Sequence, residues 1–117
     1  MLYDPKWQET IKAPKVKIEV WQDLLLDAAN ILETEGWCQL RMYEGSKSCA
    51  IGSLFKANRV RFGTDSLTDP TVTADLFTAI DQLRSLLPKG DVEDWNDTTG
   101  RTKAEVTAKL REAANVV

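Results

Sequence analysis

Apolar side chains recur every three or four residues in several stretches of the chain, which is the spacing of an amphipathic helix. The first stretch predicts a helix over 17–35 that ends at Gly36. Its apolar positions are Ile18, Trp21, Leu25, Ala28 and Leu32. A later stretch predicts a helix that begins at Asp69-Pro70, with Asp as the cap and Pro at the first position, and runs to about Leu87. Its predicted buried stripe is Leu76, Phe77, Ile80, Leu83 and Leu87.

The region between these helices has a different pattern. Residues 37–43 partly alternate and carry large side chains, which predicts a short strand or extended segment, and 44–47 read as a turn. Ser48 is the predicted cap of a helix over 49–58. Gly52 lies inside that helix, where glycine costs about 0.5–1 kcal/mol relative to alanine, and this indicates a close backbone approach.

The end of the chain predicts an acidic loop over 91–100 and then a last helix. Thr102 and Glu105 have the spacing of a capping box at its start. We therefore expect a mainly α fold of about four helices with one short β-hairpin or extended segment, in a compact α or α+β single domain. The domain is predicted over 16–117, after an extended N-terminal arm over 1–15.

The amino-acid composition excludes several classes of function. The 117 residues carry a net charge of −3, which disfavours a general nucleic-acid binder. Histidine is absent, which excludes Ser-His-Asp and Cys-His catalysis and the usual zinc sites that contain histidine. We expect no cofactor and no metal, and the absence of a catalytic constellation favours a protein that is not an enzyme over one that is. No apolar run is long enough to span a membrane and no signal peptide is seen, so a cytoplasmic location is predicted.

Three segments together carry a resemblance. They are Gly36-Trp37-Cys38-Gln39, then Cys49-Ala50-Ile51-Gly52-Ser53-Leu54, then Trp95-Asn96-Asp97 followed by Arg101-Thr102. In this order they resemble a family of small uncharacterised proteins from actinobacteria and their phages. That family often has Gly after the Gln, where this chain has Leu40. The resemblance implies a phage or prophage origin and brings no known activity.

Candidate ligand-binding residues come from the same segments: Trp37, Gln39, Cys49, Trp95, Asn96, Asp97 and Arg101. Cys49 at a helix start has the setting of a reactive thiol, and equally that of a small packed side chain, which we favour because no histidine is available as a base. Asn96 and Asp97 suit either ligand contact or turn formation, and Arg101 is a candidate partner for Asp97. Cys38 and Cys49 are either close enough for a redox bridge or, as we favour, unconnected thiols.

Two functional hypotheses follow. The first is a small binding protein that contacts a protein partner or a second copy of itself, with Trp7 and Ile11 of the arm as candidate interface residues. The alternative is a small-molecule-binding protein or enzyme with a site around Cys49, Gln39 and Asn96-Asp97, and it requires a Cys49 pKa below the ordinary thiol value. Nucleic-acid binding through the lysines of the arm is a weaker third hypothesis, because Asp4 and Glu9 offset their charge.

Overall fold

The computed structural model describes residues 18–63, 70–88 and 91–115. These ranges contain five helices and one two-stranded hairpin, which confirms the predicted mainly α class. In chain order the elements are α1 Val20–Glu35, β1 Tyr43–Glu44, β2 Lys47–Ser48, α2 Ala50–Phe62, α3 Pro70–Ser85, α4 Val92–Asn96 and α5 Lys103–Ala114. The predicted arm over 1–15, with Trp7 and Ile11, and the predicted cap Asp69 lie outside the described residues.

Helix α1 is central, because it packs against α2, α3 and α5. Its apolar stripe is wide enough to face several neighbours at once, and five of its side chains are buried: Leu24, Leu25, Ala28, Ala29 and Leu32. They meet apolar side chains of the other helices, including Leu54, Leu76, Leu83, Val106 and Leu110. Ile18, which was predicted to belong to the stripe, precedes the helix and is half exposed.

A hydrogen bond joins the start of α1 to the end of α5. Gln22 accepts a hydrogen bond from the Glu19 N–H at the start of α1, and its Nε2 donates to the Ala114 carbonyl at the end of α5, 2.8 Å away. The predicted capping box of α5 is confirmed, since Thr102 Oγ1 accepts from the Glu105 N–H and the Glu105 carboxylate accepts from the Thr102 N–H. These polar contacts fix where α1 and α5 begin relative to the core.

Three sequence predictions are corrected. Helix α2 begins at Ala50 with Cys49, not Ser48, as its N-cap, because the Ser48 backbone belongs to β2. It also continues to Phe62, four residues beyond its predicted end at residue 58. The predicted loop over 91–100 contains the short helix α4, which Asp91 caps by accepting from the Asp94 N–H.

Phe77 was predicted to be buried and is 46% exposed. The buried positions of α3 are Val72, Leu76, Ala79 and Leu83, which keep the helical period. Phe77 lies one residue from Leu76 and therefore about 100° around the helix, at the edge of the packed face. None of the described helices combines the length and the apolar character that a membrane span requires.

The hairpin is held against α1 and α2 by backbone contacts. Tyr43 pairs with Ser48 in antiparallel register, and Ser48 also forms a parallel bridge with Trp37. The predicted turn at 44–47 is the connection of this hairpin. Helix α2 approaches the hairpin so closely that a Cβ at Gly52 would lie 2.6 Å from the Met42 carbonyl oxygen, which confirms the close approach inferred from the sequence.

We expect Gly52→Ala to lower the free energy of unfolding by about 1–3 kcal/mol, since the added methyl group collides with a backbone carbonyl. Helix propensity alone predicts the opposite sign, a gain of about 0.5–1 kcal/mol. Urea denaturation followed by circular dichroism measures the difference. A more stable variant would show that the approach of α2 to the hairpin is not a constraint.

Candidate functional site

The three motif-bearing segments meet at one side chain, Asn96. Helix α4 is only five residues long, and Asn96 is its last residue. The short helix directs this side chain into the space between the chain after α1 and the start of α2, where Asn96 is 1% exposed. The segments around Trp37 and Cys49 are therefore joined to residues more than forty positions later in the chain.

The carboxamide of Asn96 has all of its hydrogen-bonding capacity used. Its Oδ1 accepts from Trp37 Nε1 at 2.7 Å and from the Ala50 N–H at 3.0 Å. Its Nδ2 donates to the Cys38 carbonyl at 3.2 Å and to Asp97 Oδ1 at 2.9 Å. Since the indole and the backbone N–H can only donate, the orientation of the amide is determined by its partners.

A second layer of bonds fastens residues 39 and 40 to the same turn. Gln39 Nε2 donates to the carbonyls of Asn96 and Thr98, both at 3.0 Å. Asp97 Oδ1 accepts from the Leu40 N–H at 2.8 Å. Among the predicted site residues, Trp37, Gln39, Asn96 and Asp97 are thus brought together, and their polar groups bind one another.

Leu40 is the residue that this arrangement strains. Its φ is +72°, the single positive value outside glycine in the described part of the chain, and its side chain is 79% exposed. The left-handed region costs an L-residue with a side chain about 1–2 kcal/mol. This conformation gives a physical reason for the glycine that the resemblance places after the Gln.

Cys49 does not have the environment of an activated nucleophile. It is buried, and its Sγ accepts a hydrogen bond from the Gly52 N–H at 3.3 Å as the cap of α2. Burial raises the pKa of the Cys49 thiol; the N–H groups of Gly52 and Ile51 oppose this rise, and the carboxylates of Asp97 and Glu93 add to it. The lowered pKa that the enzyme hypothesis requires is therefore contradicted.

Cys38 is also a buried free thiol. Its Sγ lies 3.5 Å from the Arg41 carbonyl oxygen and 4.0 Å from that of Met42. Burial is the first cause that raises its pKa, and the neighbouring Cys49 is the second. Cys49 is thus near enough to influence the pKa of Cys38, and the two cysteines are not bridged.

Trp95 and Arg101 form a separate contact at the edge of the site. The Arg101 guanidinium stacks 4.2 Å from the centre of the Trp95 ring, and its Nε donates to the Trp95 carbonyl. Its nearest carboxylate is that of Glu105, at 3.7 Å. The predicted pairing of Arg101 with Asp97 is not formed in the described structure, because Asp97 instead binds Leu40 and Asn96.

One small cavity of about 140 Å³ opens beside this network. Its lining is Leu40, Arg41, Met42, Cys49, Glu93, Asn96 and Asp97. Sequence reasoning missed Leu40, Arg41, Met42 and Glu93, and only the departure from glycine at position 40 gave a signal. In the described ranges, no group of three or more Asp, Glu or Cys side chains is arranged to hold a metal ion.

The fold and the site define a class of protein: a mainly helical domain in which hydrogen bonds to a buried asparagine hold the short hairpin and the strained loop in place. The chain belongs to the family of unknown function DUF6197, whose model matches residues 19–116. The curated proteins and the solved structures contain no match to it. Membership of an uncharacterised family, which the resemblance predicted, is confirmed.

Replacement of Asn96 by Ala leaves the Trp37 indole N–H, the Ala50 N–H and the Cys38 carbonyl without their partner. We expect a loss of about 2–5 kcal/mol in the free energy of unfolding, since each buried unsatisfied group costs about 1–3 kcal/mol. Chemical denaturation measures this loss, and a red shift of tryptophan emission would report the loosened indole.

Asn30→Ala is the control, since Asn30 is exposed and its Oδ1 accepts a bond from Arg111; we expect a change within about 0.5 kcal/mol. Equal effects of the two substitutions would refute a central role for Asn96.

Leu40→Gly is expected to raise the free energy of unfolding by about 0.5–1 kcal/mol, because it removes the backbone strain and little packing. Val60→Gly is the matched control: Val60 is 78% exposed but lies in regular helix α2, so the same change should cost about 0.5 kcal/mol. Thermal and urea denaturation of both variants check the opposite signs. Destabilisation by Leu40→Gly would mean that the leucine side chain contributes to folding.

Proposed function

We propose that this protein is a binding protein without catalytic activity that docks on a protein partner through an apolar tip, defined as the side chains of Leu40, Met42 and Tyr43. The observation that carries the proposal is Leu40, a large apolar side chain held in water on strained backbone. Met42 and Tyr43 are also among the exposed large apolar side chains.

The backbone strain at Leu40 supports a role for this residue in binding a partner. Strained backbone persists only where the surrounding structure over-determines it, and such residues cluster at functional sites. Here the surrounding structure is the bond from the Leu40 N–H to Asp97 and the two bonds from Gln39. A leucine in this position gains almost no burial within the chain, so burial against a partner is the gain that offsets the strain.

The tip also has the properties of a binding surface. A loop whose backbone is held in place before binding loses little conformational entropy on association, which favours affinity. Exposed charged residues border the tip, namely Arg41, Glu44 and Lys47. An apolar centre with a polar rim is the usual anatomy of a protein–protein interface.

A small-molecule or catalytic function at the Asn96 site has less support. The raised pKa of Cys49 disfavours a thiolate nucleophile, and the Asn96 carboxamide has no free donor or acceptor for a ligand. The cavity of about 140 Å³ is also below the roughly 300–1,000 Å³ of ordinary ligand pockets. We therefore retain the binding function as the proposal.

Two further predictions accompany it. The resemblance implies a phage or prophage origin, and the protein would then act in the cytoplasm of the host cell. The partner is a host or phage protein or a second copy of this chain. The arm residues Trp7 and Ile11 are also predicted to contact a partner.

The test compares complexes formed by matched variants purified from the protein's own host. Wild type and Val60→Ala, which removes an exposed apolar side chain about 15 Å further along α2 than the site, should retain the same partner in native mass spectrometry and affinity purification. Leu40→Gly should weaken that complex by roughly 30-fold or more, the effect of losing an interface hot spot of about 2 kcal/mol.

Because Leu40→Gly is expected to fold more stably than wild type, a lost complex cannot be attributed to unfolding. A partner retained equally by wild type and Leu40→Gly would contradict docking through the tip. A doubled chain mass that disappears in Leu40→Gly would identify the partner as a second copy.

A further inference from the structure

We propose that Cys38 and Cys49 are a pair of thiols that hydrogen peroxide converts slowly into a disulfide, in which Cys49 is oxidised first and Cys38 then closes the bond with it. The bond would join the two ends of the segment that carries Leu40, Met42 and Tyr43. This inference concerns a modification site and does not depend on the proposed function.

The backbone brings the two cysteines side by side. Ser48 forms a parallel bridge with Trp37, through the Ser48 N–H to the Gly36 carbonyl at 3.2 Å and the Cys38 N–H to the Ser48 carbonyl at 3.1 Å. Cys38 and Cys49 each follow one of the bridged residues. Parallel strands lie about 4.8 Å apart at such a bridge, and the proposal requires the adjacent pair to reach the Cα separation of about 4.4–6.8 Å of a disulfide.

A shared neighbour supports this closeness independently. The Met42 carbonyl oxygen lies 4.0 Å from Cys38 Sγ and accepts a hydrogen bond from the Cys49 N–H at 3.0 Å. The Asn96 carboxamide binds the Cys38 carbonyl and the Ala50 N–H, so it lies between these two backbone groups and leaves the bridge between Trp37 and Ser48 intact. Cys38 and Cys49 therefore lie where that bridge ends, next to the inserted amide.

The cavity assigns the order of reaction. Cys49 lines the cavity of about 140 Å³, whereas Cys38 does not. That volume is several times the roughly 30 Å³ of a water molecule, so hydrogen peroxide fits and larger oxidants are disfavoured. Cys49 thus meets the oxidant, and Cys38 is the resolving thiol.

The chemistry balances with one peroxide. The Cys49 thiolate attacks a peroxide oxygen; an S–O bond forms, the O–O bond breaks, and the leaving hydroxide takes a proton to become water. The Cys38 thiol gives up its proton and the thiolate attacks the sulfenic sulfur; an S–S bond forms, the S–O bond breaks, and the leaving hydroxide takes that proton to become the second water. Two thiols are oxidised and one hydrogen peroxide is reduced to two waters.

Charged groups around the two thiols influence how the rate of their oxidation depends on pH. Glu93 and Asp97 act on Cys49, whereas Arg41, Glu44 and Lys47 act on Cys38. Because burial holds the pKa of both thiols above the ordinary value, we expect a slow reaction at neutral pH. Its rate should rise about tenfold per pH unit while the thiolate is the minor form.

The experiment treats the reduced full-length chain with hydrogen peroxide at several pH values. Remaining thiols are then blocked under denaturing conditions, and peptides are mapped by mass spectrometry without reduction. The expected product is one chain with a Cys38–Cys49 linkage and the mass of two hydrogen atoms lost. In Cys38→Ala, dimedone should trap a sulfenic acid at Cys49; in Cys49→Ser, which keeps a capping oxygen, Cys38 should react at least tenfold more slowly.

The peptide map of the wild-type chain can overturn the proposal by itself, so the proposal stays testable even if a variant fails to fold. Three results would do so: recovery of both cysteines as blocked thiols, over-oxidation of Cys49 beside an unmodified Cys38, and a linkage found only between two chains. A rate independent of pH would contradict the thiolate mechanism.

Discussion

The carboxamide of Asn96 is the contact on which the organisation of the site depends. Parts of the chain that are distant in sequence reach it: the strand-like residues after α1, the first N–H of α2, and the turn that follows α4. In a continuous parallel ladder, the Cys38 carbonyl would accept from the Ala50 N–H directly. Instead the amide lies between them and satisfies both, which a buried position requires, since an unpaired polar group there costs about 1–3 kcal/mol.

The position of the loop after Gln39 follows from that contact. Once Asn96 is in place, Asp97 and the carbonyls of residues 96 and 98 bind Gln39 and Leu40, and the backbone at Leu40 has to take a positive φ. The strain is local and the bonds that impose it are several, so the loop keeps this conformation. The result is an apolar side chain presented to solvent in a defined direction, which is the basis for a binding function.

The helical core and the site respond to different forces. The core is held by apolar contacts, which have no preferred direction: α1 buries a wide apolar stripe against its neighbours. Replacing one core side chain by another of similar size therefore changes the packing density more than the arrangement of the helices. The site is polar and directional, and its bonds have defined partners. The cysteines lie at the boundary, where thiols are buried like core residues and yet are held at set positions by the Ser48 bridge.

Much of the helical fold follows from the sequence itself. The period of the apolar residues predicts α1 and α3, and Pro70 and the Thr102–Glu105 capping box place the starts of α3 and α5, because these signals act within one turn of helix. The pattern also predicts a turn at 44–47 and a close approach at Gly52. Helix α4 was not predicted, because a five-residue helix is too short to show a period.

What only the tertiary structure decided is how the motifs combine. Sequence reasoning selected Trp37, Gln39, Asn96 and Asp97 as polar groups of one site, but it does not show that they satisfy one another instead of a ligand. It also placed the helix cap at Ser48, whose backbone is committed to the bridge with Trp37. The strain at Leu40 arises from bonds to residues more than fifty positions away. Local patterns determine local structure, whereas hydrogen bonds between distant segments depend on how the helices pack.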